Sequence, residues 1–271
     1  MSLPHVVIPF VKASACGNDF LLVASRNVEN ALAPADFAAL TRRMCDRHEG
    51  VGADGVEWMY PYAAADVEIR LINADGSEAE ISGNGTRCVA AYVCAERGIE
   101  KIRIQTGAGL KTCVLTGRSE SEYEFEIAMG EATVGAELAV QLGASEVRGI
   151  PVSMGNPHYV VFVNEFAENW QHHAAKIQRS SEFKQSVNVE LVAIDGKNDV
   201  RARFFERGVG ETQSSGTGSC AAAVAAIATS RAESPVRVHA PGGMQTVRRE
   251  GNEVFLRGPA RLVCRGEFFL S

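Results

Sequence analysis

Several absences narrow this sequence before any motif is read. Acidic residues outnumber basic ones, 33 to 27, for a net charge of -6, and no run of Lys or Arg occurs anywhere. There is thus no electrostatic footprint for nucleic acid or for an anionic membrane surface. No apolar stretch approaches the roughly 20 residues that a membrane-spanning helix requires. The seven cysteines (Cys16, Cys45, Cys88, Cys94, Cys113, Cys220, Cys264) are odd in number, scattered and without a C-x-x-C pair. Neither a disulfide framework nor a zinc site has that pattern, so no metal is expected and a reducing cytoplasm fits best. The short apolar stretch PHVVIPFV near the start lacks a basic leading region, so a cleaved signal peptide is not expected. No low-complexity linker divides the chain.

What is present is apolar material in quantity. The 271 residues are 46% hydrophobic and 22% charged, enough for one large domain or two ordinary ones. The two halves also repeat each other. Gly17-Asn18-Asp19-Phe20 leads into the apolar run Leu21-Leu22-Val23, and Gly155-Asn156-Pro157-His158 leads into Tyr159-Val160-Val161-Phe162. Further on, Glu78 to Gly85 and Glu211 to Gly218 share the pattern E-x-x-x-S-G-x-G at a nearly constant offset. Each S-G-x-G opens a small-residue stretch that favours helix, over 86–96 and 219–231. Alternating or β-branched runs at 67–71, 101–104, 124–127 and 254–256 read as strands.

The expectation is an α+β fold of two pseudo-symmetric domains, each a mixed or antiparallel, barrel-like sheet wrapped around one central helix. The domains are placed at residues 1–127 with 260–271, and at 128–259, packed around a shared cleft.

A glycine-rich turn feeding a helix exposes unpaired N–H groups at the positive end of the helix dipole, a seat for a carboxylate or phosphate. Neither copy is a nucleotide P-loop, because the lysine of that motif is missing from both. Two equivalent seats serving one small substrate suit a reaction in which a proton leaves one face of a carbon and returns on the other. That chemistry calls for one base and one acid that exchange roles with direction. A pair of cysteines would serve, since a helix N-terminus can tune a thiol towards neutrality.

Beyond these features, the segments Phe10-x-Lys12, Gly17-Asn18-Asp19-Phe20, Arg47-His48-x-Gly50-Val51-Gly52-Ala53-Asp54-Gly55 and Asn73-Ala74-Asp75-Gly76-Ser77-Glu78 resemble those of diaminopimelate epimerases. So do Ser82-Gly83-Asn84-Gly85-x-Arg87-Cys88, Gly155-Asn156-Pro157-His158 and Glu206-Arg207-Gly208-x-Gly210-Glu211-Thr212. The likeness runs from about Phe10 to Gly258-Pro259-Ala260. It implies a cofactor-independent isomerase that interconverts LL- and meso-2,6-diaminopimelate, and a homodimer.

Residue by residue, the resemblance implies that Asn18, Asn73, Asn156 and Asn188 bind the distal end of the substrate or orient it. Glu206 and Arg207 would meet its ammonium and carboxylate. Gly83 and Asn84, with Gly216 and Thr217, would form two N–H cradles, and His158 and Glu206 would tune the bases. Taken singly, each of these asparagines reads as a turn former, His158 as an interior histidine and Glu206-Arg207 as a surface pair.

The departure from the family lies at the bases themselves, where Ser82 and Ser215 stand at its two cysteine positions. A hydroxyl does not ionise near neutral pH, so the expectation is binding with little or no turnover. A Cys→Ser double replacement accounts for this better than a natural variant. Two smaller departures are Ser14-Ala15-Cys16, where the family more often has His-Gly before its Gly-Asn-Asp-Phe, and Gly55, where some members have glutamine. The other readings are a related racemase acting on a different amino acid, and a non-catalytic amino-acid-binding protein.

Overall fold

The computed structural model describes residues 6–28, 37–143, 145–184 and 186–270, with four α-helices and eighteen strands among them. The chain forms two compact units, Met1–Ile127 with Gly258–Ser271, and Ala128–Arg257.

In the first unit, strands Val6–Ala15 and Asn18–Ala24 form an antiparallel hairpin. Its two connecting residues, Cys16 and Gly17, both have positive φ, 48° and 87°. A two-residue turn with that sign at both positions matches the right-handed twist of the strands it joins. Helix α1 (Phe37–Cys45) follows. Strand Gly55–Tyr60 then lies parallel to Asn18–Ala24, and Val67–Asn73 pairs antiparallel with it. After the two-residue strand Glu78–Ala79 comes helix α2 (Gly83–Arg97). Lys101–Thr106 pairs parallel with Val67–Asn73 and antiparallel with Gly109–Ser119, which pairs in turn with Glu122–Glu131.

The second unit repeats this order. Ser145–Ser153 is antiparallel to Pro157–Phe162, helix α3 (Trp170–Gln178) follows, and Asn188–Gly196 runs parallel to Pro157–Phe162. Asp199–Glu206 is antiparallel to that strand, then come Gly210–Thr212 and helix α4 (Gly216–Ala228). Val236–Ala240 pairs parallel with Asp199–Glu206, and Gly243–Glu250 follows antiparallel. The correspondence is residue for residue in places: Phe20 pairs with Gly55 as His158 pairs with Asn188, and Val56 faces Ile72 as Val189 faces Phe205. This is the expected α+β class, with two pseudo-symmetric, barrel-like sheets each wrapped around a helix.

The central helices are built for burial. In α4, every residue from Gly218 to Ala226 is buried, mostly alanine, which lets strands approach closely on all sides. Val152, Val160, Val192, Phe204, Val238, Val247 and Leu256 pack against it. Helices α1 and α3 belong to separate clusters. Phe37 and Met44 of α1 pack with Trp58, whose ring meets Phe37 edge-on at 4.6 Å and whose Nε1–H donates to Thr41 Oγ1 at 3.1 Å. Trp170 and Ala174 of α3 pack with Tyr159 and Val189.

Both central helices begin three residues before the stretches anticipated from composition, because Ser82 and Ser215 are their N-caps. Helix α4 also stops at Ala228, short of Arg231, as Ser230 takes φ 57° and the Arg231 N–H turns back to Ala226 O at 2.8 Å. The strands at 124–127 and 254–256 are longer than their alternation suggested, extending to Glu122–Glu131 and Glu253–Leu270. Among the described residues no helix is long and apolar enough to cross a membrane.

Candidate active site

Each central helix starts in the same way. Ser82, extended at φ -121° and ψ 121°, accepts the Gly85 N–H at its Oγ (3.1 Å), while its carbonyl accepts the Thr86 N–H at 2.8 Å. Ser215, at φ -140° and ψ 129°, accepts the Gly218 N–H at 3.2 Å, and its carbonyl accepts the Ser219 N–H at 2.9 Å. A side-chain oxygen on the N3 amide is the ordinary N-cap bond. It leaves the first-turn amides at Gly83 and Gly216 without intrahelical carbonyls, at the end of the helix where an anion is stabilised. A methyl group on Gly83 would meet nothing within 4 Å.

In the first unit the expected residues form one connected set. Asn84 Nδ2 donates to Asn18 Oδ1 at 2.7 Å, and Asn18 Nδ2 donates to Asp54 Oδ2 at 3.0 Å. Asn73 Nδ2 donates to Ser77 Oγ at 3.0 Å, and the next amide, of Ala74, donates to Asp54 O at 2.9 Å. Behind them, Asp19 takes Lys12 at 2.9 Å and Arg47 at 2.8 Å, and Arg47 also reaches Asp54 at 2.8 Å. Burial would raise the Asp19 carboxyl, but hydrogen bonds from Arg47 and Lys12 outweigh it and hold the group below its ordinary range. Arg87, wholly buried, donates to Asn84 Oδ1 and to Pro259 O, and contacts the Cys16 sulfur at 3.7 Å.

In the second unit, Asn156 Nδ2 reaches Thr217 Oγ1 at 3.5 Å and Asn156 Oδ1 bonds His158 Nε2 at 2.9 Å. His158 Nδ1 bonds Glu190 Oε1 at 2.7 Å, with both side chains about 1% exposed. Asn188 donates to Pro157 O at 3.1 Å and accepts the Arg207 N–H at 2.8 Å. Glu206 Oε1 accepts the Thr212 hydroxyl at 2.7 Å. The Arg207 side chain is exposed.

Two residues escaped the sequence reading. Glu57 and Glu190, each two positions into its strand, are buried to 0% and 1% beside the two helix starts. A Cβ on Gly85 would overlap Glu57 Oε1 and come within 3.3 Å of Ser82 Cβ. A Cβ on Gly218 would meet Phe204 at 2.9 Å, with Glu190 Oε1 and Ser215 Cβ at 3.0 Å each. The last glycine of each S-G-x-G is therefore there to admit a carboxyl group. The signal lay in Gly55-Val56-Glu57-Trp58-Met59, a charge inside an apolar strand. Neither oxygen of Glu57 has a hydrogen-bond partner, and burial pushes its pKa from 4.5 up to about 8. Glu190 is also raised by burial, with His158 pulling the other way. Among the described residues, no group of three His, Cys, Asp or Glu side chains is placed to hold a metal ion.

The doubled architecture is one found among amino-acid racemases and other isomerases. A hydroxyproline epimerase from Agrobacterium vitis superposes with a TM-score of 0.69 at 16% identity, over 100% of this chain and 93% of the other. A PhzF-family phenazine biosynthesis protein from Bacillus anthracis gives 0.69 at 16% identity, over 96% and 98%. At that identity the likeness establishes the fold alone.

Sequence comparison is more specific. The family model for diaminopimelate epimerase matches residues 10–134 and 150–263. Diaminopimelate epimerases from Pelotomaculum thermopropionicum and Heliobacterium modesticaldum are 38% and 36% identical to the chain, covering 96% and 95% of it and 98% of each relative. The chain belongs to the diaminopimelate epimerase family, a family of isomerases.

Proposed function

We propose that this protein binds 2,6-diaminopimelate and is built to invert one α-carbon between the LL and meso forms without a cofactor. The observation that carries the reading is the matched pair of serine-capped helix starts, each with its asparagine on the third helix-start residue, Asn18 on Asn84 and Asn156 on Thr217. The Gly83–Asn84 and Gly216–Thr217 amides would stabilise the charge that builds on the reacting carboxylate as the α-proton leaves. Arg207 and Glu206 would hold the distal carboxylate and ammonium, with Asn73 and Asn188 setting the position of the chain between. The nearly full-length likeness to diaminopimelate epimerases supports that substrate.

Ser82 and Ser215 stand where the family reading requires thiols, so the thiolate route is closed in this chain. The hydroxyls keep the N-cap bonds but supply no resting base. In this reading the pair is a Cys→Ser double substitution of an active epimerase.

The test is α-proton exchange of diaminopimelate in heavy water, followed by proton NMR. The double Ser82→Cys/Ser215→Cys protein is expected to exchange and epimerise at least about 100-fold faster than the serine form, the scale of a lost general base. No exchange by the double-cysteine protein would overturn the substrate assignment.

A further inference from the structure

Resting on that reading, we infer that Glu57 is the proton acceptor behind Ser82, taking through the Ser82 hydroxyl the proton that leaves the substrate's α-carbon. Glu190, paired with His158, holds the equivalent place behind Ser215. Glu57 acts through Ser82 and does not touch the substrate, so it is a positioning residue for the proton path.

The geometry carries this in three steps. First, the two carboxylates occupy the same place in two copies of one unit: strand position, complete burial and contact with the last glycine of S-G-x-G are all shared. A buried carboxyl that merely filled space would have no reason to recur beside both helix starts. Secondly, Glu57 is a buried acid with both oxygens unpartnered, an arrangement that costs stability and so calls for a use. Thirdly, Ser82 Oγ accepts the Gly85 N–H on one lone pair, which leaves a second lone pair to receive a proton and its own hydroxyl proton to pass on. The carboxyl of Glu57 lies against that same glycine, with Cδ and Ser82 Cβ at 3.1 Å and 3.3 Å from one point.

The step balances without any further reactant. The substrate Cα–H bond breaks and its electron pair stays on the substrate, spread into the carboxylate held at the helix start. The proton goes to Ser82 Oγ as the hydroxyl proton passes to Glu57, and the reverse transfer restores the acid. Nothing is oxidised or reduced.

The groups facing Glu57 are few. Its strand neighbours Leu22 and Leu71 are apolar, and from α2 the titratable side chain that interacts with it is Cys88. The Cys88 thiol is pushed far above its ordinary range by burial, so it does not compete as a base. Around Glu190 the facing groups are His158 and Glu206.

The experiment measures α-proton exchange of diaminopimelate from about pH 6 to about pH 10, a span that covers the ordinary histidine and thiol ranges. It uses the protein as it stands, Glu57→Gln, the double Ser→Cys form, and Glu57→Gln in the double Ser→Cys form. The serine form should exchange slowly, with a rate that rises and levels off above about 8. Glu57→Gln should cut that rate about 100-fold and remove the rise, and should slow the double-cysteine form by a smaller factor, because a thiolate is itself a base and leans less on the carboxyl behind it. A thermal melt checks that Glu57→Gln is folded, and infrared difference spectroscopy should show the Glu57 carboxyl of the serine form losing its proton through the same pH range. Exchange by the double-cysteine form but none by the serine form at any pH would overturn the role of Glu57, as would an unchanged rate and profile in Glu57→Gln. Absence of exchange in every form would instead strike the substrate assignment, and the infrared titration would then decide whether Glu57 ionises there: a carboxyl that stayed protonated throughout would end the proposal.

Discussion

The helix starts of α2 and α4 share a backbone and differ in what surrounds it. Behind Ser215, Glu190 is bonded to His158, His158 to Asn156, and Asn156 reaches Thr217, so the buried charge is part of a polar chain. Behind Ser82, Phe20 stands at the register position of His158 and Glu57 has no partner, while the polar chain runs elsewhere, from Arg87 through Asn84 and Asn18 to Asp54. A duplicated frame has kept its helix caps and glycines and has bonded its buried carboxyl to a histidine at one helix start and left it unpartnered at the other. Two carboxyls in equivalent places thereby meet unequal surroundings, which is how one fold can supply an acid and a base at once.

The comparison can be broken most severely at the caps. Ser82→Cys and Ser215→Cys made separately should each restore rapid exchange from only one stereoisomer of diaminopimelate, by about 100-fold or more, because each thiol serves one face. Equal gains with both isomers from either single protein would overturn the two-base reading.

Next in size is a pH effect on stability. The Glu57 carboxyl sits at about 8 when folded against 4.5 as its ordinary value. The folded state therefore holds a proton the unfolded chain has released, and stability falls as pH rises between those two values. The slope is on the order of 1.4 kcal/mol per pH unit at most. Urea melts should show this decline in the protein as it stands and its loss in Glu57→Gln; a parallel decline in both would place the titrating group elsewhere.

Smaller again is the difference between the two glycines. Gly218→Ala drives a methyl group into Phe204, Glu190 and Ser215 together, and should cost about 2–3 kcal/mol. Gly85→Ala meets chiefly the end of the Glu57 side chain, which can turn away, and should cost about 1 kcal/mol. Denaturant midpoints check the order.

The mildest change sharpens the contrast by copying one seat onto the other. Phe20→His offers Glu57 the partner that Glu190 has, and should bring its titration down by about one unit, read by infrared or by the pH profile of exchange.

Much of this was legible in the residues. The S-G-x-G pair announced two helix starts because glycine and serine there have one strong local use, and the alternating runs announced strands because burial on one face alternates along them. The exact helix starts were not legible, since composition favours helix only from Thr86 and Ser219 while the caps extend it backwards. Lys12, Asp19, Arg47 and Asp54 were visible as motif residues, but their ion-pair cluster required the fold to bring together segments far apart in sequence. Glu57 and Glu190 stayed hidden for a different reason. A single charge in an apolar run usually points to solvent, and only the depth of the strand beneath the helix shows that these do not.

The last strand carries a consequence for how the molecule comes into being. Glu253–Leu270 pairs with Gly243–Glu250 in its first part and with Val6–Ala15 in its second, from Ser14 with Arg261 to Val6 with Leu270. On the ribosome, the unit begun first waits for residues 261–270 to emerge before strand Val6–Ala15 gains that neighbour. Until then the edge of Val6–Ala15 lies open to other chains. Slow synthesis of the C-terminal segment, or its loss by proteolysis, would leave the earlier unit unsealed and the later one complete to Arg257.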